Sequence, residues 1–445
     1  MSDDASQGIS RHVFHPKSLI PHPSSFIRLL LISFLCVSSF GCRPTSEAPD
    51  GSNPDVLPPP PRTTVRGRST PDTHRVDAAA KRQSLINSQQ STINNLPHSS
   101  DWPVFRGNAE ATGVAGGGLP TKLDVLWTFP ITKGGFESTA AIVGGVVYIG
   151  STDGNLYALD LATGEKRWQF PTPLGFTASA AVQGGRVYIG DSDGTFYCID
   201  AATGRKLWHY QTDGEIDSSA NFHAGHVLFG SQDSFLYCLD AVSGKLVWKY
   251  QSPDQIRCFP AVAGDRGFVA GCDGRLHVID LKNGAGVGEV KIDSPTGSSP
   301  AVMGGTVFVG TEGNNFFAID PQRRKVLWRK ERSKHAAAFR SSAAATPEAV
   351  IVGSRDRQLH AFNPKTGNPL WSFTTKGLVD SSPVVVGDRV FVGSRDGRLY
   401  AIDVKTGAKQ WQFDAGGAVV ASPAVADGRL VIGNDSGQLY CFGAK

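Results

Sequence analysis

Apolar residues in most of this chain fall in short runs, not at helical spacing. In one stretch the runs are STAAIV (138–143), VVYIG (146–150), NLYALD (155–160) and KRWQF (166–170). Runs of that length, rich in Val, Ile, Tyr and Trp, read as strands. Turn residues separate them: Gly144-Gly145, Asp153-Gly154 and Ala162-Thr163-Gly164. Gly-Gly and Asp-Gly between apolar runs are hairpin signals, because Gly reaches positive φ without steric cost. The pattern predicts four antiparallel strands joined by tight turns.

This unit recurs. GNLYALD ends at Asp160, GTFYCID at Asp200, SFLYCLD at Asp240, GRLHVID at Asp280, NNFFAID at Asp320, RQLHAFN at Asn363, GRLYAID at Asp403 and GQLYCFG at Gly443. The spacing is 40 residues except for 43 between Asp320 and Asn363, where the segment around Glu331–Arg340 is longer. A Trp follows eight residues later in most copies: Trp168, Trp208, Trp248, Trp328, Trp371 and Trp411. The fourth copy has Gly288 there, and the eighth ends at Lys445 before its Trp. Trp127 lies 41 residues before Trp168, inside LDVLWTF, which reads as the missing last strand of the eighth copy.

Four antiparallel strands repeated radially make a propeller blade. The expected fold is therefore all-β: an eight-bladed β-propeller of four-stranded antiparallel blades, with the last blade closed by an N-terminal strand. Closure removes exposed strand edges that invite aggregation. The domain is expected to span residues 101–445. The composition agrees, with 51 Gly and 24 Phe against 2 Met.

The period alone also admits a WD40 propeller, but the WD dipeptide is missing. In its place stands Ala158-x-Asp160-x-x-Thr163-Gly164-Glu165-x-x-Trp168. This resembles the tryptophan-docking motif of PQQ-type, quinoprotein-like propellers, and seven turns carry it in whole or part. Departures are Asn283 for Thr, Gly288 for Trp, Arg324 for Gly and Asn363 for Asp. The motif also makes sense physically. The Asp caps the turn, the Gly supplies positive φ, and the indole buries roughly 200 Å² against the next blade. Trp127, Trp168, Trp208, Trp248, Trp328, Trp371 and Trp411 are thus assigned blade docking, and blade four is expected to dock most weakly. Segment 101–113, DWPVFRGNAEATG, resembles the lead-in of PQQ-repeat lipoproteins, and Trp102 and Phe105 are expected to pin it to the propeller.

The amino terminus is of another kind. The run LLLISFLCVSSFG (29–41) follows Arg28 and ends at Cys42. It is shorter than the about 20 residues that span a bilayer and has the layout of a secretory signal. S-F-G-C resembles a bacterial lipoprotein processing site, although Ser39 stands where that family usually has Leu. The resemblance implies a signal peptide over 1–42, lipidation of Cys42, and a place on the periplasmic side of a bacterial membrane, the outer one favoured. Residues 43–100 hold nine Pro and no Phe, Trp or Tyr, and are expected to form a disordered tether, with a short helix over 76–95.

Charge adds an exclusion. The net charge is +4, and residues 1–100 contribute +3 of it. A near-neutral folded region gives no electrostatic reason to expect nucleic acid.

Candidate chemistry is sparse. Gly190-Asp191-Ser192-Asp193-Gly194 matches the GxSxG pattern of hydrolases, yet it aligns with GSTDG (150–154) and GSRDG (393–397) and reads as a hairpin. His223 and His226 flank a turn, too few for a closed metal site. His277 and His360 replace the Tyr of LYALD and are expected to pack. Cys198, Cys238 and Cys441 share one repeat position and read as buried apolar residues. Cys258 and Cys272 lie on the first two strands of blade four. A three-residue loop at Gly264–Arg266 would pair them, whereas a two-residue loop would put them on opposite faces. PQQ-dependent alcohol dehydrogenases share the blade motif but carry a vicinal disulfide and large insertions, and this chain has neither a Cys-Cys pair nor room for insertions.

What remains is a face. The connections entering each blade read GGFES, GFTAS, EIDSS, QIRCF, PTGSS, AAFRSS, LVDSS and AVVAS. Phe136, Phe176, Ile256, Arg257, Phe339, Arg340 and Asp380 stand out there, and Arg and aromatic residues are enriched where proteins bind proteins. The basic run RKERSK (329–334) reads as a solvated loop. The sequence thus points to a monomeric, non-catalytic lipoprotein scaffold with protein partners, no cofactor and no metal. It resembles the BamB family of outer-membrane β-barrel assembly scaffolds. A PQQ-dependent dehydrogenase and a small-ligand sensor using the central channel are the alternatives.

Overall fold

The computed structural model describes residues 101–331 and 337–445. The signal segment, Cys42, the tether, the 76–95 helix and the end of the basic run lie outside the described residues. Among the described residues every regular element is a strand, and the strands form eight four-stranded antiparallel sheets. Each sheet is one repeat, except that the last pairs Asp124–Pro130 with Gln438–Gly443. The chain is an eight-bladed β-propeller whose ring is closed by joining its two ends.

Within a blade the burial follows the sequence. Blade one runs from Ala141–Val143 through Val146–Gly150 and Asn155–Asp160 to Lys166–Pro171, and only the last strand alternates between exposed and half-buried residues. Gly144 and Gly145, at φ 57° and 73°, close the first hairpin in the double left-handed conformation of a type I′ turn. A register shift between Ala158 and Leu159 inserts one extra residue in the outer strand just before Trp168. The same bulge recurs beside Trp208, Trp248, Trp328, Trp371 and Trp411, where it re-aims the ring out of its own sheet.

Neighbouring blades interlock. The second strand of most blades ends in Gly, and a Cβ there would strike the next blade. At Gly150 it would lie 2.6 Å from Phe176 Cβ, at Gly310 2.4 Å from Phe339 Cβ, and at Gly433 2.2 Å from Phe136 Cβ. The last contact joins blade eight to blade one. Phe136, Phe176, Ile256 and Phe339 are therefore fully buried, at 0–1% exposure. Contrary to the expectation from sequence, they do not project from the binding face. Each fills the dent that a missing side chain leaves in its neighbour, so the fold buries them for packing.

The docking indoles use the same logic at the turns. The Nε1 of Trp127 donates to the Leu161 carbonyl at 2.9 Å, Trp168 to Ala201 at 3.0 Å, Trp248 to Leu281 at 3.2 Å, Trp328 to Pro364 at 2.9 Å and Trp371 to Val404 at 2.8 Å. Trp208 Nε1 is buried without a partner, and the matching carbonyl of Ala241 accepts from Tyr188 Oη at 2.9 Å. Trp411 lies edge-on to Phe442 of blade eight at 5.6 Å.

Blade four has the two-residue loop: Ala263 pairs with Arg266 across Gly264-Asp265. Cys258 and Cys272 are accordingly free thiols, and so are Cys198, Cys238 and Cys441.

Candidate functional site: the channel and its charged mouth

One residue after the buried column, the connections turn their side chains into the axial mouth. Glu137, Thr177, Asp217, Arg257, Arg340 and Asp380 come together there around a cavity of about 180 Å³. Of the proposed partner-binding residues, this brings Arg257, Arg340 and Asp380 onto one surface. Phe136, Phe176 and Phe339 lie beneath it.

Apart from Glu137, which is exposed, the mouth charges are already paired. Asp380 takes both oxygens to Arg355, at 2.8 and 3.0 Å, and one to Arg395 at 2.6 Å. Burial pushes the Asp380 carboxyl up, but the hydrogen bonds from Arg355 and Arg395 outweigh it and hold the group below the usual carboxylate range. Arg340 donates to Glu312 at 2.7 Å. Arg257 reaches Gln232 at 2.9 Å, and Gln232 in turn donates to Asp217 at 2.7 Å. Thr177 donates to the other Asp217 oxygen at 2.7 Å.

Below the mouth runs a belt of hydroxyls. At six of the eight blade junctions a backbone N–H bonds the hydroxyl of the next blade: Thr139 to Ser179, Ser179 to Ser219, Phe259 to Ser299, Ser299 to Ser342, Ser342 to Ser382 and Ser382 to Ser422, all at 2.9 Å. A buried N–H left unpaired costs about 1–3 kcal/mol, so the belt explains why these connections read SS or AS. Phe259 interrupts it, and Phe105 sits edge-on to Phe259 at 5.9 Å.

Phe105 belongs to a strap that closes the other end. Trp102 exchanges two hydrogen bonds with Ile142 of blade one, at 2.7 and 2.8 Å. Carbonyls of Pro103, Ala109, Glu110, Thr112 and Gly113 then accept from Val182, Val262, Val302, Ala345 and Val385 of blades two, four, five, six and seven. Ala109 also accepts from the Asn221 side chain of blade three at 2.9 Å. Sequence reasoning placed Trp102 and Phe105 on this segment but missed that the strap crosses seven blades. It also missed Arg106, which is fully buried within the strap and donates to the carbonyls of Ala343 and Pro383. Burial pulls its pKa down to about 9.

The motifs set aside as structural occupy turns. Ser192 donates to the Gly175 carbonyl at 3.2 Å, and Asp191 accepts from Tyr197 at 2.9 Å. His277 and His360 reach the turn carboxylates of Asp273 and Asp356 at 2.9 and 3.0 Å, as Tyr157 reaches Asp153 at 2.6 Å. His223 pairs with Asp265 at 3.1 Å. Among the described residues no group of three His, Cys, Asp or Glu is placed to hold a metal ion.

A quinone cofactor with its cation does not fit this mouth. Its volume lies below the about 300–1,000 Å³ of ligand pockets. Asp217 and Asp380 are held by Gln, Thr and Arg donors instead of forming a cation cage, and the strap closes the floor.

These features define a propeller built from PQQ-like repeats. The family described as "Outer membrane protein assembly factor BamB" matches residues 122–256, 215–287, 232–351 and 343–445, and the chain belongs to that family. Among solved structures, BamB from Moraxella catarrhalis is similar at 21% identity and a TM-score of 0.63, covering 73% of this chain and 98% of its own. Quinohemoprotein alcohol dehydrogenase from Comamonas testosteroni is similar at 17% identity and 0.66, covering 79% and 82%. A europium-containing methanol dehydrogenase is similar at 13% and 0.69, covering 80% and 100%. At such identities these likenesses speak to the fold alone. No curated protein sequence matches the chain.

Proposed function

We propose that the protein is a non-catalytic scaffold of the bacterial cell envelope, anchored through lipidated Cys42 and acting as a monomer on protein partners. Delivery or assembly of outer-membrane proteins is the favoured setting, and membership of the BamB family supports it. The observation that carries the non-catalytic part is the channel. Its hydroxyl belt is hydrogen-bonded across six blade junctions, Arg257, Arg340, Asp217 and Asp380 at its mouth are engaged, and the strap closes one end. Such a surface presents fixed charge, most of it already engaged, around a small cavity. Exposed charged groups around a rigid ring steer and orient a protein partner.

The test has two arms. The full chain is titrated with pyrroloquinoline quinone and calcium while its thermal transition is followed. A ligand at a hundredfold excess over its Kd would add about 2.7 kcal/mol of stability. The expected result is no shift, and a saturable shift overturns the reading. In membranes, a photo-crosslinker at Thr177, an exposed residue of the same mouth, is expected to trap envelope proteins, and loss of those adducts when Arg257→Glu/Arg340→Glu is added is expected if the contact is at the mouth.

A further inference from the structure

The junction between blades four and five departs from the others in several ways at once. Gly288 stands where the docking Trp belongs. The turn it faces has Arg324, at φ 53°, where the other turns have a left-handed Gly. A Cβ on Gly288 would lie 2.9 Å from Arg324 Nε, so the guanidinium lies over part of the vacant indole position. The second-strand Gly is Ala270 here, and the facing connection carries Thr296 in place of a large apolar residue.

These exchanges leave an acceptor unclaimed. In six other turns the carbonyl after the Asp or Asn accepts from an indole or a tyrosine hydroxyl. At this junction the carbonyl is that of Pro321. Gly288 supplies no indole, and Phe268 stands where blades one and two have Tyr148 and Tyr188. Pro321 instead lines a groove of about 480 Å³, with Phe268, Val278, Val287 and Val302 as apolar walls and Arg324 at its rim. Arg324 is exposed and uses one of its five N–H groups, on the Val287 carbonyl at 2.7 Å.

We propose that this groove binds a tryptophan-bearing segment of a partner polypeptide, with an acidic residue beside the indole. The indole replaces the missing docking ring and donates to the Pro321 carbonyl. The neighbouring carboxylate meets the free N–H groups of Arg324, whose guanidinium also lies over the ring face. The partner is another polypeptide, because this chain has nothing to offer. Residues 1–100 contain neither Trp nor Tyr, and no described Trp or Tyr is exposed. The inference rests on the scaffold reading for its kind of partner, and deepens it.

The probe is the peptide acetyl-Glu-Trp-Glu-amide carrying 5-fluorotryptophan, followed by fluorine NMR against the full chain so that the protein's own indoles stay silent. Expected is a saturable shift, weakened about tenfold when Trp becomes Ala and less when it becomes Phe, which keeps the ring and loses the donor. Gly288→Trp combined with Arg324→Gly restores the ordinary pair, is expected to raise the melting temperature, and is expected to abolish binding. Arg324→Gly alone is expected to erase the preference for Glu over Gln in the peptide. Equal binding to a folded double variant, or no saturable shift in the native protein, overturns the groove. The crosslinking arm above reads the scaffold separately. Persistent envelope adducts with a silent probe defeat the groove alone, and a bound probe without adducts defeats the scaffold reading alone.

Discussion

Trp328 gives the sharpest measure of what holds one blade to the next. It is buried to 9% exposure and lies among Phe308, Phe316 and Phe362, with ring centroids 6.0, 6.0 and 6.2 Å away. Its Nε1 bonds the Pro364 carbonyl, and its ring rests on Gly367, where a Cβ would come within 2.6 Å. Trp328→Ala removes the ring and strands the carbonyl, for a cost of about 3–5 kcal/mol. Unfolding entropy of about 2.1 cal/mol/K per residue over roughly 340 residues gives ~0.7 kcal/mol/K, so the expected drop is about 4–7 °C. Trp328→Phe keeps most of the packing and loses the donor, at about 1–2 kcal/mol and ~2 °C. Gly367→Ala deletes nothing, yet places a Cβ against the indole at φ +68°, and is expected to cost about 1–3 kcal/mol. Scanning calorimetry reads all three. A drop below about 2 °C for the Ala variant, or equal damage from Phe and Ala, would refute the assignment of docking energy to this ring.

Asp380 ties stability to pH. Its folded carboxyl lies below the ordinary value of about 3.9, so the pairing is fully present above that pH and is lost as pH falls through the lower folded value. Asp380→Asn is expected to destabilise near neutrality, where it leaves Arg355 and Arg395 without their shared carboxylate, and urea melts should converge with native protein once the pH drops below the folded value. The cysteines offer a chemical check. Burial pushes the Cys198, Cys238, Cys258 and Cys441 thiols up to about 12, while Cys272 is half-buried. Iodoacetamide on the native protein should label Cys272 first among these five, as read by peptide mapping, and equal labelling of Cys258 would contradict the packing.

Blade number, strand order and ring closure were legible because each is written eight times, so one weak strand signal is repeated into a strong one. The face was read less well, and the reason lies in two adjacent columns. Residues 136, 176, 216, 256, 296, 339, 379 and 419 read Phe, Phe, Ile, Ile, Thr, Phe, Val and Val. Residues 137, 177, 217, 257, 297, 340, 380 and 420 read Glu, Thr, Asp, Arg, Gly, Arg, Asp and Val. Taken one connection at a time, Phe136 beside Glu137 looks like an exposed aromatic. Compared down the column, it belongs to an apolar set, and an apolar set repeated around a ring is a packing layer. The Gly column that receives it lies beside the turn residues of each hairpin and reads as part of the turn, because a dent is visible only when its filler is in place. The strap had no such signal. Its contacts run from backbone carbonyls to seven blades, and carbonyls leave no mark on residue identity.

That strap has a mechanical consequence. It precedes the closing strand Asp124–Pro130 in the chain, so tension applied at residue 101 reaches it first. Its bonds to successive blades lie one after another along the path of the pull, and they part singly, as in a zipper. The closing strand is loaded only after the strap has been stripped away. A tug from the amino-terminal side would therefore uncap the channel while the ring is still whole.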